Sequence, residues 1–276
     1  MAEPRPKPSA TDWAIFAVLL VGALCMSGPF LWMLSTSLKP AAEVFKFPPI
    51  LLSQTPQPEN YLRIFSTIPF GRAIANSLIV AGSVTVLQLI VCSMAAYAFS
   101  CLRFRGREVV FLIYLSALMV PSQVTLIPNF MLVRDLGWID TYQGLILPYA
   151  FSSFGTFLLR QYMKTIPPEL IEAARIDGAG PVRTLWRIIL PISRPILAVV
   201  SILAVVAAWK DFIWPLLVFP DTEKQTLSVM LQRVAIDLPL NVLVAGMVLA
   251  SLPMVALFLA FQRQILAGLT AGSLKG

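Results

Sequence analysis

Residues 13–38 carry no charged side chain, and neither do 73–102, 109–133, 141–159 and 238–262. At 1.5 Å of rise per residue, a helix needs roughly 20 residues to cross a hydrocarbon layer about 30 Å thick. Each of these runs meets or nearly meets that length. Residues 195–220 make a further run, broken only by Lys210 and Asp211. No water-soluble domain has enough interior to hide so much apolar surface. The chain has 58% hydrophobic and 13% charged residues, against roughly 25% charged in soluble domains. The expectation is an all-α membrane protein with six transmembrane helices. The first run is too long for a secretory h-region and ends in no clear cleavage site, so it reads as a retained span.

The net charge is +7, and the basic residues lie between the apolar runs. That pattern sets membrane orientation and argues against nucleic-acid binding. With the N-terminus inside, one face holds Arg5, Lys7, Arg103, Arg105, Arg107, Arg160, Lys164, Arg175, Arg183, Arg187, Arg194, Arg263 and Lys275. The other holds Lys39, Lys46, Arg63, Arg72, Arg134, Lys224 and Arg233. The excess predicts N-in and C-in. The segments are then a cytoplasmic tail 1–12, a first helix 13–38, an external loop 39–72, a five-helix core 73–263 with a cytoplasmic loop 160–194, and a cytoplasmic tail 264–276.

Several chemistries are excluded. The chain has no histidine, and its cysteines, Cys25, Cys92 and Cys101, have no metal-ligand spacing. It lacks the Gly-x-x-x-x-Gly-Lys-Ser/Thr loop that cradles nucleotide phosphates. The carboxylates scatter, which disfavours a membrane enzyme, and Asp211 alone is thin support for proton coupling.

Residues 172–195 form a polar island. Pro167 and Pro168 suit a first helical turn, where a missing N–H costs little. Glu169 and Glu172 suit the positive end of the helix dipole. Asp177-Gly178 ends that helix, with glycine free to take a left-handed backbone. Pro181 starts a second short helix that stops near Pro191. Val182, Leu185, Ile188 and Ile189 cluster on one of its faces, and Arg183 and Arg187 on another. Such a hairpin is either an interfacial cap on two spans or a docking element that passes a push from a partner to those spans.

Glu172-Ala173-Ala174, three residues, Gly178, nine residues, Ile188, one residue, Leu190-Pro191 resembles in full the EAA motif of ABC importer permeases. Arg160-Gln161-Tyr162, Ile166-Pro167, Asn76-Ser77-Leu78, Leu126-Ile127-Pro128, Gly144 to Leu147 and the ending Gly268 to Gly276 are similar to the carbohydrate-uptake, maltose-type branch, specifically its smaller channel subunit. The resemblance covers nearly the whole chain. It implies the type I importer permease fold in the bacterial plasma (inner) membrane and alternating access for a sugar, an oligosaccharide or substituted sugar. A glycerol-phosphate-type solute is the alternative. It implies as partners a second permease subunit, a cytoplasmic ATPase dimer and an extracytoplasmic sugar-binding protein. ATP and Mg2+ would be bound by the ATPase, with no cofactor in this chain. Glu172, Ala173, Ala174, Asp177, Gly178, Ile188, Leu190 and Pro191 inherit the coupling role. Gly272 and Lys275 fall in a tail expected to reach the ATPase.

Charge within a span costs roughly 2.5–3.5 kcal/mol at mid-helix on insertion scales. Lys210 and Asp211, beside Trp209, therefore point to a solute pathway or to pairing with a partner subunit. The family expectation at Lys210 is asparagine. Gln123 and Asn129, flanked by Pro121 and Pro128, are the other polar candidates, in a third span that the prolines kink.

Overall fold

The computed structural model describes residues 9–221 and 223–273, with side chains described to Gln262. Those residues form helices and loops without a strand. In chain order the helices are α1 (Ala10–Ser37), α2 (Ala41–Val44), α3 (Asn60–Thr67), α4 (Phe70–Cys101), α5 (Arg107–Ser116), α6 (Ser122–Asp135), α7 (Tyr142–Ile146) and α8 (Ser153–Met163). Then come α9 (Pro168–Ile176), α10 (Pro181–Thr184), α11 (Leu190–Ile192), α12 (Arg194–Lys210), α13 (Ile213–Val218), α14 (Leu227–Arg233) and α15 (Leu240–Ser273).

Three of them are long and apolar enough to cross a membrane: α1, α4 and α15 over Leu240–Gln262. They match the runs 13–38, 73–102 and 238–262. The other three runs are broken. Run 109–133 becomes α5 with a short 3-10 turn, then α6, bent by 98°. The cause is Pro121, which holds Val120 in an extended conformation (φ −88°, ψ 114°). The expected kink is a right-angle corner. Run 141–159 divides into α7, a 3-10 turn over Leu147–Tyr149 containing Pro148, and α8, which continues to Met163. Thr141 and Ser152 each cap a new start, accepting from Gly144 N at 3.3 Å and Gly155 N at 3.0 Å. Run 195–220 stops at Lys210, where Asp211 is extended (ψ 133°), and resumes as α13. Counting each bent pair that passes as one crossing gives up to five candidate spans by length and composition.

The chain forms two compact units. The first joins the chain up to Ile68 with Val234–Ser251. Ser9 and Asp12 start α1 with a capping box, Ser9 N to Asp12 Oδ2 at 2.7 Å and Asp12 N to Ser9 Oγ at 3.3 Å. The apolar side chains of α1 are largely exposed, as a lipid-facing helix requires. Lys39, counted with the outer-side cations, is 1% exposed. Its Nζ lies 4.3 Å from the centroid of the Trp32 ring. Its carbonyl accepts from Asn60 Nδ2 (3.1 Å) and Asn241 Nδ2 (3.0 Å), so the segment after α1 is pinned from both sides.

The second unit comprises Pro69–Arg233 and the chain from Leu252. Helix α4 is its axis, packed by α8 and α12. One end holds a cluster of Val80, Val84, Val133, Leu145, Trp214, Val218 and Phe219. There Asn76 Nδ2 donates to the carbonyls of Glu223 (3.0 Å) and Gln225 (3.1 Å), and its Oδ1 accepts from Tyr142 OH (3.0 Å). Lys224 Nζ meets Asp140 Oδ2 at 2.7 Å, and the Asp140 carboxylate holds the Lys224 ammonium above its ordinary range. At the other end Cys92, Ala96, Tyr97, Leu159 and Met163 pack against the polar island.

Candidate functional site

The island folds as a helical hairpin. Pro167 is the cap residue (ψ 129°) and Pro168 is the first residue of α9. Gly178 takes φ +76°. Its N–H donates to the Arg175 carbonyl (3.0 Å) and the Ala179 N–H to the Ala174 carbonyl (2.9 Å). This six-to-one and five-to-two pair is a Schellman closure, which requires the left-handed residue that only glycine supplies without strain. Gly180 and Pro181 then start α10.

The second arm ends near Pro191, as expected, but it is not a plain α-helix. Residues Leu185–Ile189 widen into a π turn, α11 carries Pro191 through to Ile192, and the break falls at Ser193. Val182 is 71% exposed and off the apolar face. The buried stripe is Thr184, Leu185 and Ile189, with Ile188 half-buried. Val182 lies before the π turn, at the exposed end of the hairpin, while Leu185 and Ile189 keep their buried positions.

Ile171, Leu185 and Ile189 enter the cluster formed by α4, α8 and α12. Full burial of such a side chain is worth roughly 1.5–3 kcal/mol, so the hairpin is bolted to three long helices. Its outer surface presents Glu172, Ala173, Asp177 and Gly178, all exposed, beside the exposed apolar side chains Leu170, Ile176, Val182 and Trp186. Exposed apolar groups around a carboxylate make a surface suited to another protein. Leu190 is half-buried and Pro191 exposed. Gly272 lies in the last turn of α15, where side chains are not described, and Lys275 lies outside the described residues.

A connection at the hairpin's base escaped the sequence reading. Arg160, the last-turn basic residue of α8, is 3% exposed. Its Nε donates to the Phe99 carbonyl on α4 at 3.0 Å, and its Nη2 contacts both Glu108 oxygens on α5. Its guanidinium carbon lies 3.7 Å from the centroid of the Phe111 ring. The hydrogen bond from Arg160 holds the Glu108 carboxyl below the usual carboxylate range. The available signal was position: Glu108 directly precedes one charge-free run and Arg160 directly follows another.

The proposed pathway residues gather at the break after α12. A cavity of about 510 Å3 is lined by Gln88, Ser122, Tyr149, Lys210, Asp211 and Phe212, among others. A smaller one of about 160 Å3 shares Ser122, Tyr149 and Asp211 and adds Gln123, Thr125, Asn129 and Trp214. Tyr149 donates its hydroxyl to Asp211 Oδ2 at 2.8 Å, and its carbonyl accepts from Gln88 Nε2 at 2.9 Å. Asp211 is therefore held by Tyr149 and not by its neighbour Lys210. Trp209 lines neither cavity; it is buried, with its carbonyl accepting from Ser228 Oγ at 3.0 Å. Four residues of this wall are sequence candidates, Lys210, Asp211, Gln123 and Asn129, with Trp214 beside them; Gln88, Ser122 and Tyr149 are not.

Residues 88–270 match the family described as the binding-protein-dependent transport system inner membrane component. The chain belongs to that family. It is 35% identical, over 95% of its length and 96% of the relative's, to the trehalose/maltose transport system permease protein MalG of Thermococcus litoralis. It is 33% identical to the sn-glycerol-3-phosphate transport system permease protein UgpE of Brucella abortus, with 98% of each chain covered. The arabinooligosaccharides transport system permease protein AraQ of Bacillus subtilis is likewise 33% identical, end to end in both chains. A chain of a bacterial ABC transporter involved in import of the acidic polysaccharide alginate superposes with a TM-score of 0.83 at 28% identity, covering 94% of this chain and 99% of that one. The permease is thus a membrane transport component with the type I ABC importer fold, and not an enzyme.

Proposed function

We propose that this permease is one of two channel subunits in an ATP-driven importer of a sugar or sugar-like polyol. It crosses the bacterial plasma membrane six times, with both ends in the cytoplasm. The broken runs each count as one crossing, lined by neighbouring helices that satisfy their freed backbone groups. The hairpin from Pro168 to Ile192 then faces the cytoplasm and seats on an ATPase dimer, with Glu172 pairing with a basic residue there. ATP and Mg2+ bind in that dimer. A binding protein outside delivers the solute.

The observation that carries this reading is the hairpin: Glu172, Ala173, Asp177 and Gly178 are exposed, Ala174 is buried, and the base is packed among α4, α8 and α12. Movement of the hairpin moves those helices as one body, and α12 ends at the wall bearing Lys210 and Asp211. Nucleotide binding biases the cavity between inward-open and outward-open states, which is two-state alternating access. The relatives named for trehalose/maltose and arabinooligosaccharides support a sugar as cargo, and the glycerol-3-phosphate relative keeps a phosphorylated polyol as the second reading.

The test is reconstitution of this chain with its partner permease, ATPase and binding protein in proteoliposomes. The expected result is ATP-dependent accumulation that stops when the ATPase is omitted. Accumulation by this chain alone, or without ATP, would contradict the reading.

A further inference from the structure

Two hydrogen-bond donors at the α12–α13 break have no acceptor among the described residues. The first is the Lys210 ammonium. It is exposed, lines the 510 Å3 cavity, and joins no ion pair or hydrogen bond among the described residues. Its neighbour Asp211 is engaged by Tyr149 OH. The second is the indole N–H of Trp214, a residue 3% exposed that lines the adjoining 160 Å3 cavity.

A buried indole N–H without a partner carries a desolvation cost of about 1–3 kcal/mol. The exposed Lys210 ammonium is a charge within a membrane-spanning run, which by default marks a solute path or a partner contact. An acceptor entering the 160 Å3 cavity would relieve the indole's cost, and an anionic group entering the 510 Å3 cavity would meet the ammonium. The rest of the wall has the opposite character: Asp211, the Gln88 and Gln123 amides, and the Ser122 and Thr125 hydroxyls can receive or share the hydroxyl protons of a polyol.

Resting on the importer reading above, we infer that this wall is a solute subsite for a hydroxylated anion, with a carboxylate or phosphate group seated on Lys210 and hydroxyls turned to Asp211, Gln88 and Ser122. A compact ammonium on a flexible stem acts as a point charge and accepts either acid group.

The experiment uses the complete transporter with its own binding protein in proteoliposomes. Uptake is measured for trigalacturonate, glycerol 3-phosphate and neutral maltotriose, in wild type and in Lys210→Gln and Lys210→Arg. The expected result is uptake of one of the two anions. Lys210→Gln lowers it by about tenfold or more, the effect of losing one charge-assisted contact, and Lys210→Arg restores most of it. The anion that moves tells a carboxylate from a phosphate. Import of maltotriose in preference to both anions, or wild-type anion uptake by Lys210→Gln, overturns the inference. So does failure of Lys210→Gln to assemble with its partner subunits, because Lys210 then serves subunit pairing. ATP hydrolysis stimulated by the binding protein is read in parallel. If it persists in any of these cases, the importer reading stands while the anion subsite falls.

Discussion

Arg160 Nη2 lies 2.7 and 2.6 Å from the two carboxylate oxygens of Glu108, while Arg160 Nε holds the Phe99 carbonyl at 3.0 Å. One guanidinium therefore ties α8, α5 and α4 together five residues before Thr165, where the turn leads into the hairpin. Glu108 is half-exposed and Arg160 is not, so the two partners are not equivalent when removed.

Glu108→Gln leaves a buried guanidinium facing a neutral amide. Arg160→Lys keeps the charge but cannot reach Phe99 and Glu108 together, because a lysine lacks the planar fork. Both variants are expected to lower the melting temperature of the purified complex and to cut uptake more than ATP hydrolysis. Transport-to-hydrolysis ratio in proteoliposomes is the measurement. An unchanged ratio in both variants would confine the pair to local packing.

The same pair sets a pH dependence. Arg160 depresses the folded-state pKa of Glu108. A depressed carboxyl contributes stability that is present above its unfolded pKa and is lost as pH falls through the folded value. The difference in melting temperature between wild type and Glu108→Gln should be constant at neutral pH and shrink only below the ordinary carboxylate range. A difference that grew with acidification would have the wrong sign.

Ile189 tests the bolt at the hairpin's base. It is 0% exposed inside the cluster with Leu185, Ile171 and Met163. Truncation to alanine typically costs 2–5 kcal/mol for a buried isoleucine. Ile189→Ala should loosen the hairpin, seen as faster amide exchange over residues 168–192 with α4 unchanged. Ile189→Val should be mild, at about 0.5–1.5 kcal/mol.

Gly178 tests the turn. A Cβ there meets nothing within 4 Å, so the cost is conformational alone, from φ +76°. Gly178→Ala should destabilise the hairpin by about 1–2 kcal/mol. It should reduce ATPase association, measured by co-purification, with no loss of the permease from the membrane. Gly178→Asn, which tolerates the left-handed region better, should retain more.

The hairpin was legible because its determinants are local. Prolines start both arms, Gly178 closes the turn, and the spacing from Glu172 to Pro191 names the family. The unbroken spans α1, α4 and α15 were legible from length and charge for the same reason. What the pattern could not give was backbone direction at Pro121, Pro148 and Asp211. A proline states that a helix is disturbed there; whether it kinks or turns a right angle depends on packing far along the chain. The π turn at Leu185–Ile189 was hidden because it keeps the apolar composition and changes only the rotation. Arg160 with Glu108, and Tyr149 with Asp211, join residues 52 and 62 positions apart, and no local rule pairs them.

The central claim is that Glu172, exposed on the first arm of a hairpin fixed to α4, α8 and α12, carries ATPase motion into the membrane. The direct measurement is ATP-driven solute uptake by the reconstituted transporter carrying Glu172→Lys, with ATP hydrolysis read in the same vesicles. The account predicts that uptake is lost while the variant remains folded and in the membrane, and that hydrolysis no longer responds to the binding protein. Uptake at the wild-type rate, with hydrolysis still stimulated, would contradict it.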